Sequence, residues 1–387
     1  MSDARADDAG GAGDAGGAIA AGGAVAAGRA AAADTPAAAP RPTLAAVARR
    51  AGVSPSTASL AFNDSGPVAG ATRDRILAAA RELGYDGPDP RARSLRRGRS
   101  GIIGVVLEES LRDAFRDPMN VVMLDGIADV TGPSGNSLLL LTETAASRAS
   151  LVEAPIDAVV LFGCSPSVDS KVEIVQRRGI PVVSIEGRPL PGVLDIALDN
   201  REATRALAEH LRTLGHERVA LVTLELDRDR RRGILTGPRI DAATSFTALE
   251  RVRGAQEVYP DVSGFATLGS TIEEGRIAGH ALLADARARP TAVIAQSDLL
   301  AAGVIRAAVE LGLEVPRDLS VVGFDGVRID DPAAAGLTTM VQPALDKGRA
   351  AGRGVLELLA GGSPQPVSFT SAFRRGSTTA PPRQPRP

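Results

Sequence analysis

The chain has 387 residues, is 44% hydrophobic and 3% aromatic, and carries a net charge of −2. No apolar run approaches the ~18 residues that a membrane-spanning helix needs, which predicts a soluble chain of two or more domains. Its one cysteine, Cys164, excludes an internal disulfide framework and suits a cytoplasmic setting; placed after the apolar run Ala158 to Phe162, it reads as a buried structural thiol rather than a reactive one.

Residues 1–41 are almost all Ala, Gly and Asp, with no basic start and no apolar core, so they read as a disordered tail and not a secretory signal. A glycine pattern at Gly11 to Gly16 follows no strand and is set aside. Residues 42–87 predict three short helices. Thr43 caps the first, and Leu44, Val47, Ala48 and Ala51 share its inward face; Gly52 makes the turn; Ser54 caps a second helix with Pro55 at its first position. Ala58, Ala61 and Phe62 face inward, leaving Pro55, Ser56, Ser59 and Leu60 on the opposite stripe, the face that a helix-turn-helix offers to the major groove. Leu60 either meets apolar surface there, such as a thymine methyl, or packs on a neighbouring helix. In the third helix Ile76, Leu77, Ala80 and Leu83 are the apolar positions, with Gly84 as its stop. From Pro42 to Ser100 there are ten arginines against five carboxylates, an excess placed where phosphates would be met.

Residues 88–100 predict a linker that holds a helix of about two turns, with Asp89 as cap, Pro90 at N1 and Gly98 as stop. Such a helix is marginal alone in water, and Arg93, Arg96 and Arg97 would neutralise phosphates if DNA held it. From Gly101, seven short apolar runs alternate with amphipathic helical stretches, predicting parallel sheets covered by helices in two similar subdomains with a cleft between them. Residues 101–379 form this unit, and 380–387 read as a second disordered tail. The segment after Phe373 has no leucine heptads, so no coiled-coil tetramerisation device is expected. His210, His216 and His280 lack ligand-spaced neighbours, and His216 reads as solvated or capping. No nucleophile elbow, phosphate loop, metal cluster or cofactor motif is present, so the expectation is no enzyme, no metal and no cofactor.

The run from Thr43 to Thr57, then Asn63, Thr72-Arg73, Leu83-Gly84-Tyr85, Ala92 to Leu95, Asp199-Asn200, Leu214-Gly215-His216, Arg251 to Gly254, Ser297-Asp298, Val321 to Asp325 and Leu337 to Thr339, resembles the lactose-repressor (LacI/GalR) family over roughly 340 residues. The resemblance implies an N-terminal all-α helix-turn-helix domain followed by an α/β periplasmic-binding-protein-like two-lobe effector domain, with crossings near Asn200, Gly326 and Gly361. The implied function is a homodimeric transcriptional regulator, a repressor, of double-stranded operator DNA, controlled by a small molecule; the competing reading is a small-molecule binding protein without DNA-binding regulation. On DNA, Ser54, Pro55, Ser56 and Leu60 belong to the reading helix, Thr57, Ser59, Asn63 and Thr72 would touch phosphates, and Arg93 and Leu95 would meet DNA through the linker, Leu95 as a minor-groove wedge. The linker has one residue more than the common family spacing between Tyr85 and Ala92. For the ligand, Arg251, Asp298 and Asp325 match family binding positions, and Phe115 or Phe246 would stack on a sugar face. A sugar or sugar derivative is the expected effector, with a nucleoside or other metabolite as competitor, because Ala255 replaces a common aromatic and the chain has no tryptophan.

Overall fold

The computed structural model describes residues 42–62, 68–87, 98–107, 110–142, 148–162, 168–229 and 231–383. The N-terminal tail, Asn63, the linker helix with Arg93 and Leu95, and Cys164 lie outside the described residues. The chain divides into two compact units, Met1–Pro88 and Asp89–Pro387.

The first unit holds α1 (Leu44–Ala51), α2 (Pro55–Phe62) and α3 (Gly70–Leu83). The Thr43 hydroxyl caps α1 by accepting from the Ala46 N–H, and Gly52 at φ 63° ends it in a left-handed turn that favours glycine. Val47, Ala48, Ala51, Ala58, Ala61, Ile76, Ala79 and Ala80 make the core, rimmed by Leu44, Val53, Phe62, Val68 and Tyr85. Small residues at the contacts let three short helices approach closely, and Phe62 meets Tyr85 edge-on at 5.5 Å to close one side. Leu83, expected inside, is 37% exposed, and Ala79 takes the inward place.

The second unit contains two sheets. In the N lobe β1 (Ile102–Leu107), β2 (Ser137–Thr142), β3 (Ala158–Phe162), β4 (Val182–Ile185), β5 (Val193–Leu198) and β12 (Val367–Phe369) run parallel in the order β12-β5-β4-β3-β1-β2. In the C lobe β6 (Val219–Thr223), β8 (Ser263–Ala266), β9 (Ala292–Ala295), β10 (Ser320–Asp325) and β11 (Thr338–Val341) are parallel, flanked by antiparallel edges β7 (Gly233–Leu235) and β13 (Ala372–Arg374). Each sheet is covered on both faces, as all-apolar central strands require.

Helices α4 (Leu111–Ala114), α5 (Pro118–Thr131), α6 (Arg148–Glu153), α7 (Val168–Arg177), α8 (Asn200–Thr213), α9 (Gly237–Asp241), α10 (Phe246–Gln256), α11 (Ile272–Leu283), α12 (Asp298–Glu310) and α13 (Ala344–Leu359) complete the unit. Met119, Met123 and Ile127 of α5 and Ala350, Ala351 and Val355 of α13 cover one N-lobe face, while Leu151, Val172 and Val175 of α6 and α7 cover the other. In the C lobe α8 and α10 oppose α11 and α12 in the same way. A Cβ on Gly348 would lie 2.2 Å from the Met123 carbonyl oxygen, and one on Gly126 2.3 Å from that of Leu345. The backbones of α5 and α13 therefore touch directly, and no larger residue fits at either point.

The chain passes between lobes three times, first at Asp199-Asn200, where it leaves β5 for α8. The second passage is at Gln342-Pro343 rather than near Gly326, because β11 returns to pair with β10 before the chain leaves the C lobe. The third is at Thr370-Ser371 rather than near Gly361, because β12 first joins the N-lobe sheet beside β5. The C-terminal segment also departs from expectation. Ala380 donates its N–H to the Ser320 hydroxyl at 3.1 Å and its carbonyl accepts from Ser320 at 3.0 Å, while Arg383 reaches Asp318 at 2.9 Å, so residues 380–383 are held on the C lobe. His216 is buried instead of solvated: its ring meets Thr291, Ser320 and the Ala380 carbonyl within 3.1 Å. Burial holds its pKa below the ordinary imidazole value, consistent with a neutral ring that ties three segments together.

Candidate effector site and DNA-reading surface

On the first unit, the Ser54 hydroxyl accepts the Thr57 N–H at 3.1 Å, the N-cap bond that opens α2, and bonds the Ser56 and Thr57 hydroxyls at 2.8 Å each. Pro55 and Ser56 are exposed, Thr57, Ser59 and Thr72 half-buried. Leu60 is 39% exposed and outside the core, which leaves its side chain to the solvent stripe. One face of α2 thus presents Pro55, Ser56 and Leu60 together, a short polar-apolar surface of the size that a major groove admits.

In the second unit a cavity of about 90 Å3 lies between the lobes. The N lobe contributes Asp117, Met119, Asn120, Met123, Phe162, Ile185 and Glu186, and the C-lobe side Leu224, Arg251, Ser270, Ser297, Asp325 and Gln342. Phe162, Ile185 and Asp325 end strands, and Glu186, Leu224 and Gln342 stand just beyond strand ends, so the sheets aim their carboxyl edges at each other across the cavity.

Asp117 caps α5, its carboxylate accepting the Met119 N–H at 2.8 Å, and faces the Ser270 hydroxyl of the other lobe. Burial raises its pKa to about 6. Glu186, held at φ 60°, lies at the centre of a buried ion cluster. It accepts from Lys347, from Asn200 at 3.0 Å and from Arg251 at 3.5 Å. Burial opposes its ionisation, but the Lys347 and Arg251 charges win and hold its pKa below the ordinary carboxylate value. Arg251 donates to Asn200 at 2.7 Å and to the Gln296 carbonyl, and its guanidinium lies 3.7 Å over the Phe324 ring. Asp325, at φ 123°, accepts from Gln342 at 2.7 Å and stands 4.0 Å from Arg251. Burial pushes its pKa well up, with Arg251 opposing.

Of the ligand residues expected from sequence, Arg251 and Asp325 line the cavity. Asp298 does not. Its carboxylate turns under the C-lobe sheet, accepting from the Thr339 hydroxyl at 2.6 Å and the Val327 N–H at 3.0 Å, against the bare backbone of Gly323. Burial raises its pKa to about 7. Phe115 is 59% exposed and Phe246 half-buried, and neither lines the cavity; the aromatic there is Phe162. Ala255 is buried in the C-lobe core. The unforeseen lining residues were marked by position, at strand carboxyl ends and, for Asp117-Pro118, by a helix-start dipeptide.

The raised carboxyls have a pH consequence. A group whose folded pKa lies above its ordinary value binds more protons in the folded state, so its stabilising contribution is full below about pH 4 and is lost as pH rises through about 6 for Asp117. Asp117→Asn keeps the cap and removes the proton. Its melting temperature is expected to fall less than that of the parent between about pH 4 and pH 7, a difference worth roughly 1–3 kcal/mol; identical slopes in pH-resolved thermal melts would show that Asp117 does not titrate on folding.

A three-helix DNA-reading unit joined in sequence to two lobes with a small cavity of mixed polar and apolar lining between them defines a class, the effector-binding transcriptional regulators. Residues 43–87 match the model of bacterial regulatory proteins of the lacI family, and residues 208–378 that of the periplasmic binding protein-like domain. An HTH-type transcriptional regulator of Mycobacterium tuberculosis is 34% identical, over 88% of this chain and 97% of its own. The HTH-type transcriptional regulator IpsA of Corynebacterium glutamicum is also 34% identical, over 88% and 98%. The chain belongs to the LacI family of transcriptional regulators. Among solved structures, a LacI family regulator from Corynebacterium glutamicum superposes with TM-score 0.65 at 29% identity, covering 87% of this chain and 98% of its own. The lac repressor dimer bound to operator (TM-score 0.68, 22% identity, 88% and 100% covered) and a CelR-cellobiose complex (0.59, 24%, 87% and 100%) share the fold. No described helix is long and apolar enough to cross a membrane.

Proposed function

We propose that the chain is a cytoplasmic, homodimeric repressor of a pseudo-palindromic operator whose DNA affinity is set by an uncharged polyol, a sugar or sugar derivative, bound between the lobes. Two-fold proteins read two-fold sites, and the operator-bound lac repressor dimer supports that arrangement by its fold. The cavity lining carries the ligand reading. Its acids, carboxamides and hydroxyls (Asp117, Asn120, Glu186, Ser270, Ser297, Asp325, Gln342) are donors and acceptors suited to hydroxyl groups, with Phe162, Met119, Met123 and Leu224 for an apolar sugar face. Arg251, the cation of the lining, is already taken by Glu186, Asn200 and the Gln296 carbonyl, so a phosphate or carboxylate would have to displace these partners. A cavity of about 90 Å3 is also smaller than the usual ~300–1,000 Å3 of ligand sites, so the lobes must part to admit the effector.

Thermal-shift screening of neutral sugars and polyols beside their phosphates tests this, since a ligand bound only by the folded state adds about 2.7 kcal/mol at one hundred times its Kd. Neutral compounds are expected to raise the melting temperature, and a hit is expected to change protection of a two-fold site in footprinting by a dimer. Stabilisation confined to phosphorylated compounds, or protection of an asymmetric site by a monomer, would sink the reading.

A further inference from the structure

We infer that α13 is a rigid strut carrying the state of the cavity to the start of the second unit, with Lys347 as its input end and Arg99 as its output. The inference rests on the reading that lobe closure sets DNA affinity.

Lys347 lies in the first turn of α13 and is fully buried, yet it does not line the cavity. Its ammonium donates to the Glu186 carboxylate and the Gln342 carboxamide, which both do. A hydroxyl-bearing ligand that engages Glu186 or turns Gln342 competes for the acceptors of a buried charge. Such a charge is too costly to leave unpaired, so Lys347 follows its partners. A displacement at Lys347 is passed along α13 and α5 as one body, because Gly348 in the next position leaves only 2.2 Å between an added Cβ and the Met123 carbonyl oxygen, and Gly352, one turn on, packs against Val130 with 3.0 Å for an added Cβ.

Sixteen residues carry the helix about 24 Å along the N lobe. At its far end the Leu359 carbonyl, among the last four that no helix can satisfy internally, accepts from the Arg99 guanidinium at 2.5 Å. The next two residues are fixed elsewhere. The Ser100 N–H and hydroxyl and the Gly101 N–H all donate to Asp157, at 2.8, 2.9 and 2.7 Å. Gly98 and Arg99, the first described residues of the predicted linker, are thus strung between the end of α13 and the Asp157 anchor. A shift of one relative to the other is delivered directly to the linker.

The test needs no effector. In full-length protein carrying Cys164→Ser, Asp117→Cys and Ser270→Cys, a short bis-methanethiosulfonate joins the lobes across the cavity, and affinity is measured for a duplex selected from a random library by the parent. Bridging is expected to change operator affinity about tenfold or more, and by less than about twofold when Lys347→Met or Arg99→Ala is added, with Arg99→Lys restoring part of the response. Arg99 is exposed, so its replacement leaves the fold intact should Lys347→Met not fold. A purely structural role would lower the melting temperature and leave the ratio unchanged. An undiminished ratio in the Arg99→Ala protein overturns the strut. No effect of bridging in the parent removes the closure reading instead, and the strut with it.

Discussion

Replacing Arg251 with alanine is expected to destabilise the effector unit by about 3–5 kcal/mol and to abolish its response to ligand. The guanidinium is buried, and four acceptors lean on it at once: Asn200, Glu186, the Gln296 carbonyl and, at 4.0 Å, Asp325. These belong to the first inter-lobe passage, the end of β4, the end of β9 and the end of β10, so one side chain joins both lobes to the hinge. Glu186 keeps Lys347 and Asn200 after the substitution, but Asp325 loses the cation that offsets its burial. The loss should therefore be partly recovered by adding Asp325→Asn, which removes the stranded acid. Denaturant melts of the single and double variants, with ligand titration of both, check the expectation. A single variant as stable as the parent would mean that the cluster contributes no net stability.

The second large effect is expected in DNA sequence preference. Leu60→Arg places a bidentate guanine donor on the exposed stripe of α2 where the parent offers only apolar surface, and each altered base pair is worth about 1–3 kcal/mol of discrimination. Because Leu60 lies outside the core, the circular dichroism melt of the unit should not change. Sequencing of duplexes selected by each protein should show a guanine gained at one position of each half-site. An unchanged selected sequence would show that residue 60 never reaches a base edge.

The fold was legible because its signals are local. The strands read as apolar runs, β1 through β4 with β6, β9 and β10, are continuous stretches of four or more mostly apolar residues, whereas β8 is buried but begins Ser263-Gly264, which breaks the apolar run. β12 and β13 are three-residue exposed edges with no apolar run to mark them. β5 is interrupted by Asp195, and β11 is polar at Thr338 and Thr339. Missing these edges displaced two inter-lobe passages, since β11 and β12 are what postpone them. At the site, Arg251 and Asp325 were readable from their motifs, whereas Asp298 was assigned to the cleft from the resemblance and its place just after the strand Ala292 to Ala295, while the cavity wall is taken by its neighbour Ser297. Adjacent residues at a strand-to-helix turn face different ways, and only the bonds to Thr339 and Val327 decide between them. Lys347 gave no signal, because a lysine in an amphipathic helix ordinarily belongs to the solvated face.

The three passages between lobes also order events during synthesis. The DNA-reading unit is complete once residue 87 has emerged, whereas the N lobe opens at Ile102 and waits for α13 and β12, and the C lobe waits for β13 and Ala380. Until the last portion of the chain leaves the ribosome, the apolar face that Ala350, Ala351 and Val355 will cover stays open and β5 has a bare edge. A message cut short after residue 341 therefore yields a formed DNA-reading head on an unfinished, aggregation-prone regulatory body, so the cell gains no effector-blind regulator from early termination.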